Sequence, residues 1–207
     1  MRAGSAHALL LMLAHVCFDR SLETLAECYP KKEDAVDPAR VRLTARLRLE
    51  PIRSEHAEDL WRLFQDPAVA AWYGVWTFAM AQREAARIAD AWAADGVHKW
   101  MAYDRLCGAL VGRGGLSRAH VAGQDRLEIG WALLRTCWGH GYATEIGRAG
   151  LAFAFDELAA DEVVSYTEAR NARSRAVMER LGFQYTTDIS LEDGGEPFAL
   201  YVLGRPS

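Results

Sequence analysis

Hydrophobic and polar positions alternate at two different periods along this chain, and the changes of period mark its elements. From Val41 to Glu50 the period is two: Val41, Leu43, Leu47 and Leu49 fall on one face, and Arg42, Thr44, Arg46 and Arg48 on the other. That pattern predicts one half-buried strand, ended by Pro51. The period then lengthens. Ser54 is placed to cap a helix on which Ala57, Leu60, Trp61 and Phe64 recur, and Asp66–Pro67 stops it. A second helix is expected from about residue 79 to 94, with Ala85, Ile88, Ala89 and Trp92 inward and Asp95–Gly96 closing it.

Period two returns further on. Trp100–Tyr103 and Ala109–Gly112 read as a hairpin. Leu127, Ile129, Trp131 and Leu133 alternate with Glu128, Gly130 and Ala132 as another strand. After a turn, Trp138-Gly139-His140-Gly141, comes a helix with Ile146, Ala149, Gly150 and Phe153 on one face. Then follow a strand over Val163–Thr167, a short helix over Asn171–Leu181 closed by Gly182, and final strands over Phe183–Thr187 and Phe198–Leu203. The order β-α-α-β-β-β-α-β-α-β-β predicts a mixed α/β domain on a single sheet.

Ahead of this domain, Ala8–Phe18 is an apolar run too short to span a bilayer as a helix. His7 just before it, and His15 and Cys17 within it, dilute it, and no small-x-small cleavage site follows promptly. A short helix or extension packed on the domain is preferred over a secretory signal. Tyr29–Ala39, with two Pro and alternating charge, reads as a linker. Residues 1–40 are therefore taken as an extension, and 41–207 as the functional domain.

With 51% hydrophobic and 25% charged residues in 207, the chain can bury a core and is not a disordered one. A net charge of −4 argues against a general grip on nucleic-acid backbones. Cys17, Cys28, Cys107 and Cys137 form no CxxC, and the His residues form no HExxH. No metal is expected, and reduced thiols in a cytoplasm are the simpler reading.

Chemistry concentrates in Trp138-Gly139-His140-Gly141-Tyr142-Ala143-Thr144-Glu145. The first-turn amides of a helix have no partner inside it and carry partial positive charge, so they suit a phosphate. Thr144 adds a hydroxyl. The stretch matches neither GxxxxGK[ST] nor GxGxxG. Taken alone it is equally an ordinary strand-to-helix turn.

A second stretch, Asn171-Ala172-Arg173-Ser174 followed by Leu181-Gly182-Phe183, resolves the ambiguity. With LTARLRLEPI (43–52), LVGRGGL (110–116), LEIGWAL (127–133), WGHGYATE (138–145) and NARSRAVMERLGF (171–183), the chain resembles the GCN5-related N-acetyltransferase (GNAT) superfamily. Its nearer likeness is to the RimJ/RimL-type branch. The resemblance covers about residues 41–203.

The resemblance implies a mostly antiparallel central sheet, flanked by helices, whose fourth and fifth strands splay apart to admit acetyl-CoA. Leu133, Leu134 and Arg135 would meet the pantetheine arm. Gly139, His140, Gly141, Tyr142, Ala143 and Thr144 would hold the pyrophosphate, with Trp138 at the place that most of the superfamily fills with Gln or Arg. Asn171 and Ser174 would face the pantetheine and sulfur. Relatives often place a Tyr seven residues after that Asn to protonate the leaving thiolate. Here Met178 stands there, which leaves Ser174 or a water for the role. Glu128 is the candidate base, against a reading as a structural pair. His140 is expected to matter through its backbone. Trp72–Tyr73 and Trp76, placed in a loop, are candidates to wall the acceptor pocket.

The expected reaction is acetyl transfer from acetyl-CoA to a primary amine, a protein or peptide N-terminus or a small molecule, by a monomer or homodimer. No nucleic-acid or membrane partner is expected. Asp66, Glu84, Asp90 and Asp95 are dispersed, so selection for a polycationic acceptor is not evident. The alternative is a non-catalytic acyl-CoA-binding or sensor domain.

Overall fold

The computed structural model describes residues 40–190 and 196–206. The expected helix over Ala8–Phe18 and the linker over Tyr29–Ala39 lie outside the described residues. Eight strands form one sheet in the order β1-β2-β3-β4-β5-β6-β8-β7. They are β1 (Arg42–Leu43), β2 (Leu47–Pro51), β3 (Lys99–Asp104), β4 (Leu110–Val121), β5 (Gln124–Leu133), β6 (Glu162–Glu168), β7 (Gln184–Ile189) and β8 (Phe198–Gly204). Every neighbouring pair is antiparallel except β5 and β6. The helices are α1 (Ala57–Gln65), α2 (Pro67–Tyr73), α3 (Phe78–Asp95), α4 (Tyr142–Ala152) and α5 (Ala172–Arg180).

The single strand expected over Val41–Glu50 is a hairpin. Leu43 pairs with Arg48 and Arg42 with Leu49. Thr44 closes the turn: its N–H donates to the Leu47 carbonyl at 2.9 Å, and its hydroxyl oxygen accepts from the Leu47 N–H at 3.0 Å. A period of two survives a chain reversal, so alternation could not reveal it. The cost shows at Leu43, which is 63% exposed, while Leu47 and Leu49 are fully buried.

Pro67 does not merely stop α1. It occupies the first turn of α2, and the Asp66 carboxylate caps that helix by accepting from the Ala68 N–H at 2.9 Å. Trp72 and Tyr73 are therefore helical rather than in a loop, and Trp76 follows in the connection to α3. Ser54 lies within a short 3-10 turn and caps nothing. Instead the His56 ring accepts from the Arg53 N–H at 2.9 Å. The strands expected at Trp100–Tyr103 and Ala109–Gly112 are there but longer, because β4 runs on to Val121 to pair with all of β5.

Ile129 and Gly150 show how α4 lies on the sheet. A Cβ added to Gly150 would sit 2.6 Å from the Ile129 Cδ1, so only glycine allows that approach. Trp92, Trp100 and Phe153 pack ring against ring, with centroids 5.7 to 6.3 Å apart. Beside this core the sheet opens. β5 and β6 share one register pair, Glu128 with Val164. One step on, the Ser165 hydroxyl donates to the Ile129 carbonyl at 2.8 Å. Beyond it the two strands diverge, which is the expected splay.

Candidate functional site

The end of β5 leads through a 3-10 turn (Arg135–Cys137) to Gly139 and Gly141, at φ of 79° and 80°. Gly141 is the N-cap of α4 and brings no side chain to its first-turn N–H groups. A Cβ on Gly139 would meet nothing within 4 Å, and one on Gly141 only the Arg46 guanidinium at 3.5 Å. The amides of Tyr142, Ala143 and Thr144 thus begin a helix over open space with a cation beside it. This is a fitting cradle for a diphosphate. The His140 ring is exposed and its carbonyl is engaged, so the backbone is what the loop uses. The buried Thr144 hydroxyl accepts from the Arg180 guanidinium at 3.4 Å, tying α5 to the loop.

Arg46 and Glu145 support this cradle, and the sequence reading passed over both. The Glu145 carboxylate accepts from the Thr44 hydroxyl at 2.6 Å, and from the Arg46 N–H and Nε at 2.7 Å each. The same guanidinium donates to the His140 carbonyl at 2.8 Å and lies 4.6 Å from the Tyr142 ring. Burial works against the Glu145 charge, yet the bonds from Thr44 and Arg46 hold its carboxyl below the ordinary carboxylate range. The signal was present in Thr44-x-Arg46 and Thr144-Glu145, but only the fold brings them together.

Trp138 closes the other side of the turn. Its indole N–H donates to the Leu133 carbonyl at 2.8 Å, and the Arg135 and Arg173 guanidinium groups lie 4.8 and 5.0 Å from its ring. Because the Ile129 carbonyl faces β6, strand alternation turns the N–H and C=O of Trp131 and Leu133 toward the split as well. Leu134 and Arg135 are engaged elsewhere. Their N–H groups donate to the Val111 carbonyl at 3.0 Å and to the Asp66 carboxylate at 2.6 Å. Leu133 is thus the one of these three that offers an N–H to the split. Across from it, Asn171 caps α5 by accepting from the Ser174 N–H at 3.1 Å, which places Ser174 in the first turn of that helix. Met178 is 1% exposed and belongs to the core.

Glu128 lies on the sheet face opposite α4. Its Oε2 accepts from the Lys99 ammonium at 2.5 Å and the Ser117 hydroxyl at 2.8 Å. Its Oε1 lies 2.7 Å from where a Gly130 Cβ would be, so the side chain folds over that glycine toward the split. This oxygen accepts no hydrogen bond among the described residues. Burial pushes the Lys99 ammonium below its ordinary pKa, against the pull of Glu128. Tyr73, at the end of α2, donates to the Trp131 carbonyl at 3.4 Å. Tyr166 of β6 is pushed up to about 12 by burial, then by Glu128 and Tyr73. Trp72 takes the Arg170 guanidinium at 5.2 Å, whereas Trp76 stacks on Phe64 at 3.8 Å and belongs with the core. Among the described residues no three His, Cys, Asp or Glu side chains gather as metal ligands do.

A single mostly antiparallel sheet split beside β5, with an open helix N-terminus at the mouth of the split, is the architecture of the GNAT fold. The chain belongs to the acetyltransferase (GNAT) domain family, which matches residues 46–184. It is 28% identical over 165 residues to YkkB of Bacillus subtilis, covering 77% of this chain and 92% of that one. It is 31% identical over 153 residues to the FsC-acetyl coenzyme A-N(2)-transacetylase of Aspergillus fumigatus, covering 69% of this chain and 64% of that one. Among solved structures, a GnaT-family acetyltransferase from Bordetella pertussis superposes with a TM-score of 0.71 at 23% identity, over 80% of this chain and 99% of the other.

Proposed function

We propose that this chain moves the acetyl group of acetyl-CoA directly to a primary amine, a protein or peptide N-terminus or a small molecule. The observation that carries this reading is the cradle at Gly139–Thr144 opening onto a split whose β5 edge offers the Trp131 and Leu133 N–H groups. Family membership and the acetyl coenzyme A in the name of the Aspergillus relative support it. The diphosphate would lie on the cradle and the pantetheine along β5, with Asn171 and Ser174 opposite.

The chemistry needs a neutral amine, a polarised carbonyl and a leaving thiolate. As the amine nitrogen bonds to the thioester carbon and the C–S bond breaks, the amine proton passes to Glu128 Oε1, directly or through a water. An α-amino group, with a pKa near about 8 against about 10.4 for lysine, asks least of that base. The Leu133 N–H polarises the carbonyl. Ser174 or a water returns a proton to the thiolate.

Met178 favours a second reading, an acyl-CoA-binding domain without catalysis, since a buried thioether donates no proton. Titration calorimetry with acetyl-CoA, together with thiol release over a panel of amines and peptides, decides between them. Transfer predicts acetyl-CoA binding and thiol release with at least one acceptor. Binding without any acceptor-dependent release supports the second reading, and no binding overturns both.

A further inference from the structure

Arg113 of β4 is a half-buried cation on the sheet face that carries Glu128, and no carboxylate forms an ion pair with it among the described residues. Its guanidinium lies 5.4 Å from the Phe64 ring and 5.5 Å from the Tyr73 ring. The second of these rings belongs to the side chain whose hydroxyl meets the Trp131 carbonyl at the split. Glu84 is near enough to feel this charge, but no carboxylate reaches it within ion-pair distance among the described residues, so the guanidinium lacks the charge-assisted hydrogen bonds that it ordinarily makes.

The ladder sets the spacing of its row from the one that Glu128 folds over. Lys99, Gly115 and Gly130 form one cross-strand row, and Glu128 folds its carboxylate over that row. Met101, Arg113 and Ala132 form the same-face row two residues nearer the split, about 7 Å along the strands. Between the carboxylate and the guanidinium the floor is Gly130 and Ala132, and the Tyr73 ring stands at its edge. A carboxylate and a guanidinium rising from neighbouring same-face rows, over small residues, suit a molecule that carries an amine and a carboxylate on the same carbon.

We infer that the acceptor is a small zwitterionic amine of the α-amino-acid class, its nitrogen delivered to Glu128 and its carboxylate read by Arg113. The inference rests on the acetyl-transfer reading above and narrows its acceptor. It fits the dispersed acidic residues of the helical region, which offer nothing to a polycation. It also disfavours a peptide N-terminus, which puts a neutral carbonyl where Arg113 wants a charge. A site with a charge built for one group rejects the analogue that lacks it, because the charge is then left unpaired.

The test compares the twenty L-amino acids with their carboxamides and with tripeptides, in the full chain with acetyl-CoA, by thiol release. At least one free amino acid should exceed its own amide by tenfold or more in kcat/KM. In Arg113→Gln that ratio should collapse toward one, mostly through KM, and Arg113→Lys should restore part of it. Each variant's melting temperature and acetyl-CoA affinity are measured alongside. Amides or tripeptides used as well as acids would overturn the inference, and so would a ratio unchanged in Arg113→Gln. Acetyl-CoA binding with no free amino acid acetylated overturns it too, while leaving the cofactor site standing. Failure to bind acetyl-CoA instead removes the acetyl-transfer reading beneath it.

Discussion

Lys99 reaches across β4 to Glu128. The two residues stand on β3 and β5 with a strand between them, and their ion pair closes at 2.5 Å because the intervening row contains Gly115 and Gly130. The ammonium also donates to the Gly115 carbonyl at 2.8 Å. One carboxylate oxygen is consumed in holding the side chain, and the other is left over Gly130. A structural pair and a positioned base are therefore the same arrangement, seen from its two oxygens.

The two roles separate by mutation. Glu128→Gln keeps the shape and hydrogen bonds to Lys99 and Ser117 but cannot take a proton. We expect turnover at neutral pH to fall by about 10²- to 10⁴-fold, the range for a lost general base, with acetyl-CoA affinity changed little. Lys99→Met leaves Glu128 buried beside Ser117 alone. Breaking a buried pair from one side costs about 3–5 kcal/mol, so this variant should lose stability first. Chemical denaturation and a pH–rate profile on both variants check this. A Glu128→Gln profile identical to the parent's would leave Glu128 only its structural role.

The cofactor loop gives a sharper prediction. Gly141 sits at φ 80°, where a Cβ costs about 1–2 kcal/mol, and its exposed side faces the Arg46 guanidinium. Gly141→Val adds a branched side chain at the mouth of the cradle, the space a diphosphate needs. We expect calorimetric binding of acetyl-CoA to be lost while far-ultraviolet circular dichroism stays that of the parent. Retained affinity would contradict the placement of the diphosphate on this loop.

Arg46 and Glu145 should affect the same step from behind. Arg46→Ala removes the donor to the His140 carbonyl and most of what orders Glu145. Hydrogen bonds to charged groups contribute about 1.5–3 kcal/mol, which corresponds to roughly 10- to 100-fold in affinity. We expect that loss in KM for acetyl-CoA, with kcat nearly kept. Arg46→Lys, which retains the charge without the planar fork, should recover only part of it. A variant that loses kcat and keeps KM would show that the pair does not serve the cofactor loop.

These residues also mark where the sequence stops being informative. The order of elements from β3 to β8, the α4 helix and its glycine turn follow from local periodicity and were legible, whereas the start of the domain holds one strand and one helix more than expected. The reversal at Thr44 was not, because Thr-Ala-Arg has no glycine or proline and the alternation continues through it. Helix α2 was hidden because Asp66–Pro67 stops one helix and starts the next with the same two residues. Glu128 was found as a candidate, but its anchor Lys99 is 29 residues away and meets it only across a third strand. Tyr73 was picked out with Trp72 as a candidate wall of the acceptor pocket, though in a loop rather than at the end of a helix; Arg113 was not picked out at all. Nothing in the neighbours of Arg113 announces it, and the split edge beside both exists only once the sheet has formed.

The last prediction concerns acid. His98 is buried at the start of β3, where its Nδ1 accepts from the Lys99 N–H at 2.8 Å, and Arg87 lies 3.4 Å from its Nε2. Burial first, then the Lys99 and Arg87 charges, push its pKa down to about 4 from an ordinary 6.5. Burial lowers His56 in the same direction. The folded state thus keeps His98 neutral at a pH where the unfolded chain protonates it. Between pH 6.5 and 4 the unfolded state binds more protons, so stability must fall as the pH falls through that window. Above pH 6.5 neither state is protonated there and the contribution is flat. We expect the melting temperature to decline from pH 6.5 toward 4, before most carboxylates titrate. In His98→Gln the decline should be shallower, with the remainder carried by His56. An equal slope in the variant would mean that His98 takes its proton in the folded protein, through an opening of the α3–β3 contact that frees its ring from Arg87 and Lys99.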